Sequence, residues 1–490
     1  MKKKLIALML CAVMTLSTAL TGCGSSSSTS GNEGGSGQTT EAAKAEESSE
    51  PVVYKELYSS ESSTLNYLVT STIAEQTVGA NCVDTLVEYD STGQLKEGLA
   101  TEYSPQERHI YKKNPSNYDA ENVFIDEIQQ IYNAEAATIG PEMIKRGEID
   151  YAQISADLLD DWLGNEETSN LVSRERPSTS YSYFYCFNFD PQFGEEYEPD
   201  NWKKAVNNEN FRKALFAGLD KTKEVAVLEP STPEDYTLTT ITPFDFAYNA
   251  DGTDYTKIGA VANLGDTFNE AKAVEYKEAA MEELSAEGVT FPVKVLMPYN
   301  PSVVNWDKEC QVVEQQMEAL LGTDFIDIII EAGPTDNFLT EVRRSGKYAF
   351  MKCGWGADYA DPETWTDPFY QTAGESGYDL GYKYAFLATA ITEGTATAPV
   401  VQEYFDKVDA AKEITVDTNA RYEAFAEAEA VLIDHALVVP FSITVSPYIA
   451  TKLNVFEAQY APFGVSKLRF KGQHLQENYV SMEEFEANKK

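Results

Sequence analysis

The sequence predicts an α/β protein with more than one lobe, and three observations carry that reading. The chain has 490 residues, more than one core of ~100–200 residues fills. Its content of 43% hydrophobic, 12% aromatic and 24% charged residues is that of a globular chain, not a disordered one. Strand-like and helix-like runs also alternate along the body. Residues 291–297 and 325–330 read as strands, and between them Trp306, Cys310, Val313, Met317, Leu320 and Leu321 recur at helical spacing, with Gly322 as the stop. Strand, helix, strand in that order marks an α/β layer.

The remaining elements follow the same logic. Residues 181–189 are almost continuously aromatic and apolar, as in a strand buried on both faces. Residues 210–221 read as one helix with Phe211, Ala214, Leu215 and Leu219 on one side. Tyr422, Phe425, Ala428 and Leu432 line another helix, and residues 437–443 return as a strand. There is no internal repeat.

Composition narrows the function. A net charge of −41 would repel a phosphate backbone, which excludes an ordinary nucleic-acid binder. The three histidines, His109, His435 and His474, are scattered and have no neighbouring cysteine pairs, so no zinc site of the common kinds is expected. No GxxxxGK[ST] and no GxGxxG run is present, and no cofactor is expected. Cys82, Cys186, Cys310 and Cys353 are far apart and without a CxxC. Cys186 and Cys353 lie in apolar runs and read as buried free thiols.

The chain begins with Lys2, Lys3 and Lys4, then an apolar run over 5–20, then Leu20-Thr21-Gly22-Cys23. The run is short for a membrane span, and its end resembles a bacterial lipoprotein signal. That resemblance makes 1–22 a signal peptide and Cys23 the lipidated first mature residue; the alternative is a plain secretory signal. Residues 23–52, rich in Gly, Ser, Thr, Glu and Ala, read as a tether. Lipid, tether and body place the protein at the outer face of the cytoplasmic membrane, and suit a binding protein, an anchored enzyme or an adhesin equally.

Several ordered runs resemble the extracellular solute-binding proteins of the oligopeptide, dipeptide and nickel class, family 5. They are Thr85-Leu86-Val87-Glu88-Tyr89 with Gly98-Leu99-Ala100-Thr101-Glu102, then Asn114-Pro115-Ser116-Asn117-Tyr118-Asp119, then Arg146-Gly147-Glu148-Ile149-Asp150-Tyr151-Ala152. Further on come Phe211-Arg212-Lys213-Ala214-Leu215 with Leu219-Asp220-Lys221, and Gly354-Trp355-Gly356-Ala357-Asp358-Tyr359-Ala360-Asp361-Pro362. The resemblance implies a two-lobed periplasmic-binding-protein-like fold (type II, Venus-flytrap) with mixed sheets. It divides the chain into lobe I over 53–245, lobe II over 246–443, and a return to lobe I with a tail over 444–490. One departure stands out: a small subdomain of lobe I is missing near 104–110, an apparent internal deletion that removes one wall of the cleft.

By the same resemblance Asp358, flanked by Trp355 and Tyr359, pairs with the N-terminal ammonium of a peptide ligand. Lys352 and Arg343 stand where basic residues hold its C-terminal carboxylate, and Trp365 and Tyr370 are further wall candidates. The implied function is that of a monomeric, lipid-anchored receptor, not an enzyme, that passes short peptides to the transmembrane subunits of an ABC permease. Other readings stay open at this point. Asp361 and Asp358 can simply cap a turn before Pro362, or serve as an acid pair in an anchored hydrolase such as a glycosidase. The same fold can bind a nickel chelate, haem or sugar, and the shortened form can be one that no longer binds.

Overall fold

The structure is a computed structural model that describes residues 52–58, 73–82, 88–89, 95–96, 108–457 and 469–488, except 118, 177, 266, 372, 375–376 and 379–380. The signal segment, Cys23 and the tether up to residue 51 lie outside the described residues. So do Thr85 to Val87, the Gly98–Glu102 run, Tyr118 and most of the apparent deletion near 104–110.

The described residues build two α/β bodies, as expected for the fold class. The smaller centres on a six-stranded mixed sheet. In it β1 (Val53–Tyr58) runs parallel to β3 (Glu127–Tyr132) and β4 (Tyr151–Gln153). Strand β2 (Arg108–Lys112) closes one edge antiparallel to β3. Near the chain's end, β11 (Tyr448–Thr451) pairs antiparallel with β4 and with β5 (Ser173–Arg174). Helices α1 (Ala136–Lys145) and α2 (Ala156–Gly164) bury Ile144, Leu159 and Trp162 against Ile154, Val172 and Ala450. The Arg146–Ala152 run turns between α1 and β4. Gly147 takes a φ of 68°, which a side chain would oppose. Asp150 accepts the Lys55 N–H at 2.7 Å and pairs with Lys452 at 3.3 Å, fastening the turn to β1 and to the end of β11.

The larger body holds an antiparallel sheet of order β9-β6-β10, where β6 is Tyr181–Phe187, β9 is Phe350–Gly356 and β10 is Val438–Ile443. Beside it lies the parallel pair β7 (Val293–Tyr299) and β8 (Ile326–Ala332), joined by α6 (Trp306–Leu321). This is the strand, helix, strand unit read from the sequence, and Gly322 ends α6 at a φ of 88°. Further helices enclose the core: α3 (Glu209–Gly218), α4 (Lys221–Val225), α5 (Glu270–Ala286), α7 (Ala398–Lys412) and α8 (Thr418–Asp434).

Two expectations change. The run 210–221 is two helices rather than one, because the Asp220 side chain accepts the Thr222 N–H at 3.1 Å and caps a new start. The border placed at 245/246 falls inside the larger core. Phe184, Phe211 and Ile241 belong to the same cluster as Val313, Phe350 and Val438. The reason is the ladder: β6 hydrogen-bonds to β9 on one side and β10 on the other, so it cannot sit in another lobe. The division runs instead between Arg174 and Tyr181 and again between Ile443 and Tyr448. Charged contacts bridge it. Arg174 pairs with Glu229 at 2.6 Å, and Lys308 of α6 pairs with Asp157 of α2 at 2.9 Å.

Arg212, from the Phe211–Leu215 run, is a structural residue. Its buried guanidinium donates to the carbonyls of Val206, His435 and Ala436 and to the Thr397 hydroxyl, tying α3 to the turn after α8. Replacing it strands those oxygens, each at about 1–3 kcal/mol when buried and unpaired. Arg212→Met is therefore expected to lose at least about 3 kcal/mol of stability, read as a lower urea midpoint at unchanged slope.

Candidate functional site

Strand β9, the ends of β6 and β10, the start of α6 and a π-helical turn at Leu339–Arg343 surround a cavity of about 500 Å³. That size falls within the ~300–1,000 Å³ of small-ligand sites. Four of the five residues expected to bind ligand line it: Asp358, Trp355, Lys352 and Arg343. The structure gives them different parts.

Lys352 forms the floor. Its ammonium lies 2.5 Å from Glu309 Oε1 and 3.8 Å from Glu224 Oε1, and both carboxylates are buried. The Tyr185 hydroxyl donates to Glu224 at 2.7 Å. The rings of Tyr183, Trp306 and Phe441 stand 5.9, 5.7 and 5.5 Å from the ammonium. Lys352 was expected to hold a ligand carboxylate; instead two internal carboxylates occupy it. Burial pushes the Glu224 carboxyl up to about 8, against the pull of Lys352, and raises Glu309 in the same direction.

Arg343 is placed otherwise. It is buried, stacked on Tyr384 with its Cζ 3.7 Å from the ring centroid, and donates to the Tyr382 carbonyl at 3.5 Å. Among the described residues no carboxylate pairs with it. Its Nε, like the Nε1 of Trp306, is a buried donor with no acceptor among the described residues. Two orphaned donors on one cavity call for an acceptor from outside.

Asp358 stands at the mouth. Its backbone N–H donates to Thr364 Oγ1 at 3.1 Å, and among the described residues its carboxylate has no ion pair. Partial desolvation raises its pKa, as expected of a carboxylate that lacks a cation. The loop that carries it is firmly held. Asp361 accepts the Glu363 N–H at 3.0 Å, and Arg421 takes both Asp361 oxygens at 2.9 Å and Glu363 at 2.5 Å. Asp361 is thus engaged by the fold, and the acid pair that a hydrolase would need is not available there.

Trp355 is buried in the wall, meeting Tyr382 edge-on at 4.6 Å. Tyr359 does not line the cavity; it is 38% exposed and its hydroxyl donates to Asp367 at 3.1 Å. It lies one residue past the bend at Asp358, which turns it outward. Trp365 packs on Phe246 at 5.2 Å, and Tyr370 bonds Asp409; neither reaches the cavity wall. Cys186, Cys310 and Cys353 are free and buried.

Other lining residues were not expected. Tyr181 and Tyr183 alternate along β6 and lie across β9. A Cβ at residue 354 would come within 2.5 Å of the Tyr181 ring, and one at 356 within 2.9 Å. The two glycines of the Gly354–Asp358 loop exist to admit those rings. Strand β9 is also an edge of its sheet. Ala357 N–H bonds Ser180 O and Asn188 N–H bonds Ala349 O. Odd positions therefore face β6, and the backbone groups of residues 352, 354 and 356 point away from it. Trp306, Phe338 and Tyr384 reach the cavity from distant segments, with no local sequence signal.

Two α/β bodies and a walled cavity bearing one unspent charge of each sign define a ligand-capturing protein of the two-lobed kind. Comparison with known proteins gives the family. The model of bacterial extracellular solute-binding proteins, family 5 (middle region), matches residues 99–377, and the chain belongs to that family, whose members are binding proteins and not enzymes. It is 26% identical over 409 residues to the oligopeptide-binding protein SarA of Streptococcus gordonii, covering 77% of this chain and 60% of that protein. It is 26% identical over 420 residues to the oligopeptide-binding protein AliA of Streptococcus pneumoniae, covering 77% and 61%. The chain thus spans about three-fifths of the length of these curated relatives. Among solved structures, Listeria monocytogenes OppA bound to peptide superposes with a TM-score of 0.56 at 18% identity, covering 79% of this chain and 66% of that one. Haemophilus influenzae OppA in complex with RPPGFSPFR gives 0.61 at 14% identity, covering 87% and 99%. These likenesses show the fold.

The floor makes a pH prediction. Glu224 has a folded pKa above its unfolded one, so its contribution to stability is full below 4.5 and is lost as pH rises toward about 8. Glu224→Gln should flatten that decline while keeping the contact with Tyr185, read as the urea midpoint against pH. An unchanged slope would show that Glu224 is ionised throughout.

Proposed function

We propose that the chain is the receptor of an ABC importer, capturing short peptides outside the cell and delivering them to the permease. One observation carries the reading: among the described residues, the same cavity presents a carboxylate, Asp358, and a buried guanidinium, Arg343, neither of which has an ion-pair partner, and the Arg343 Nε has no acceptor. A zwitterion is the complement of that pair. The ligand's ammonium answers Asp358 and its carboxylate answers Arg343, whose planar fork suits two oxygens. Between the ends, the outer edge of β9, whose Gly354 carbonyl also accepts from the Tyr384 hydroxyl at 2.7 Å, offers main-chain pairing to an extended chain. The two lobes closing on the ligand would exclude water and strengthen both contacts. SarA and AliA are oligopeptide-binding proteins, which supports the same ligand class.

In this reading Cys23 carries a lipid and residues 23–52 let the body reach its permease while anchored at the membrane. No reaction is needed; the work is capture and release.

The test is calorimetric titration with a peptide pool, followed by single peptides and their blocked forms. Asp358→Asn is expected to weaken binding at least tenfold, about 1.4 kcal/mol, with the melting temperature unchanged. N-acetylation of the peptide should cost the wild type a similar amount and the variant little more, since both remove the same contact. Full affinity in a folded Asp358→Asn protein would remove this anchor from the mechanism.

The anchor is tested separately. Cys23→Ala is expected to move the protein from the membrane pellet to the soluble fraction. Retention in the pellet would count against lipidation at Cys23.

A further inference from the structure

The cavity has walls as well as charges, and the walls discriminate. Lys352 and Glu309 neutralise one another at the floor. Arg344, also on the lining, is engaged within the protein. Among the described lining residues, Asp358 and Arg343 are the charged groups without an ion pair, and the two ends of a peptide use both. A further charge on the ligand, carried by a side chain, would enter a partly closed cavity without a counter-charge, where it is costly.

Apart from Gln76, Ser180, Ser442 and Thr444, the rest of the lining is apolar or aromatic. Tyr183, Trp306 and Phe441 ring the floor, and Phe338 packs on Trp306 at 5.4 Å. The rim repeats the pattern. Val303 and Tyr382 line the cavity and yet are 47% and 42% exposed, large apolar groups left open to water around the opening. Surface of this kind gains when another apolar group covers it.

Resting on the peptide reading above, we infer that the juxtaposition of a charge-balanced floor, an aromatic wall and an exposed Val303–Tyr382 rim selects short peptides with uncharged, apolar side chains. The terminal charges fix the ligand's orientation, and the walls set which sequences stay bound. Lysine-rich and glutamate-rich peptides satisfy the ends and fail at the walls.

The experiment is calorimetric titration of the detergent-solubilised full chain with trileucine, trilysine and triglutamate, which share a backbone and both termini. Trileucine is expected to bind at least tenfold more tightly than either charged peptide. Equal affinities, or a charged peptide in front, would overturn the selectivity while leaving the peptide reading in place. Absence of binding by all three would overturn both. A rim variant provides a second readout that does not disturb the core. Val303→Asp, at an exposed position, should weaken trileucine and strengthen trilysine, narrowing their ratio at least fivefold. A ratio unchanged in the variant would show that the rim does not meet the ligand and would overturn the inference.

Discussion

The cavity depends on one buried charge. Lys352 lies inside the larger body, beneath three aromatic rings, where an ammonium without partners would cost about 3–5 kcal/mol. Glu309 from α6 and Glu224 from α4 remove that cost, and in doing so fasten two helices to β9 at a fixed height. Burial, with the charge of Glu309 beside it, drives the Glu224 carboxyl upward against the pull of Lys352. With the floor neutral, the charges at the opening are free to act on something else. Asp358 and Arg343 face the cavity, and among the described residues no opposite charge pairs with either.

The mouth is rigid for a similar reason. Asp358 sits on a bend whose other acids, Asp361 and Glu363, are clamped by Arg421 from α8. Thr364 receives the Asp358 N–H, so the carboxylate is carried on a short, braced loop. A charge held this way loses little freedom when a cation arrives, which favours binding without new ordering. The same loop owes its shape to Tyr181 and Tyr183, whose rings fill the space that side chains at 354 and 356 would take.

Much of the fold was legible. The helical spacing of 306–321, the stop at Gly322 and the flanking strands appear where expected, because each is a local property of periodicity and capping. The lobe border was not legible. The run 181–189 showed a strand, but nothing local says that its partners lie at 350–356 and 438–443. Asp220 shows the same limit on a smaller scale: its side chain caps a second helix inside what periodicity reads as one.

The sequence by itself determined the family, the candidate loop around Asp358 and the presence of basic residues upstream of it, because motif order and residue type are written along the chain. Only the tertiary structure decided what those residues are available to do. Lys352 and Arg343 are both cations near the same loop. One is consumed by Glu224 and Glu309, brought in from α4 and α6; the other stacks on Tyr384 and, among the described residues, keeps its Nε without an acceptor and its charge without a carboxylate. Whether a charge binds a ligand depends on whether the fold has already paired it, and pairing is set by residues that meet only when the chain has folded.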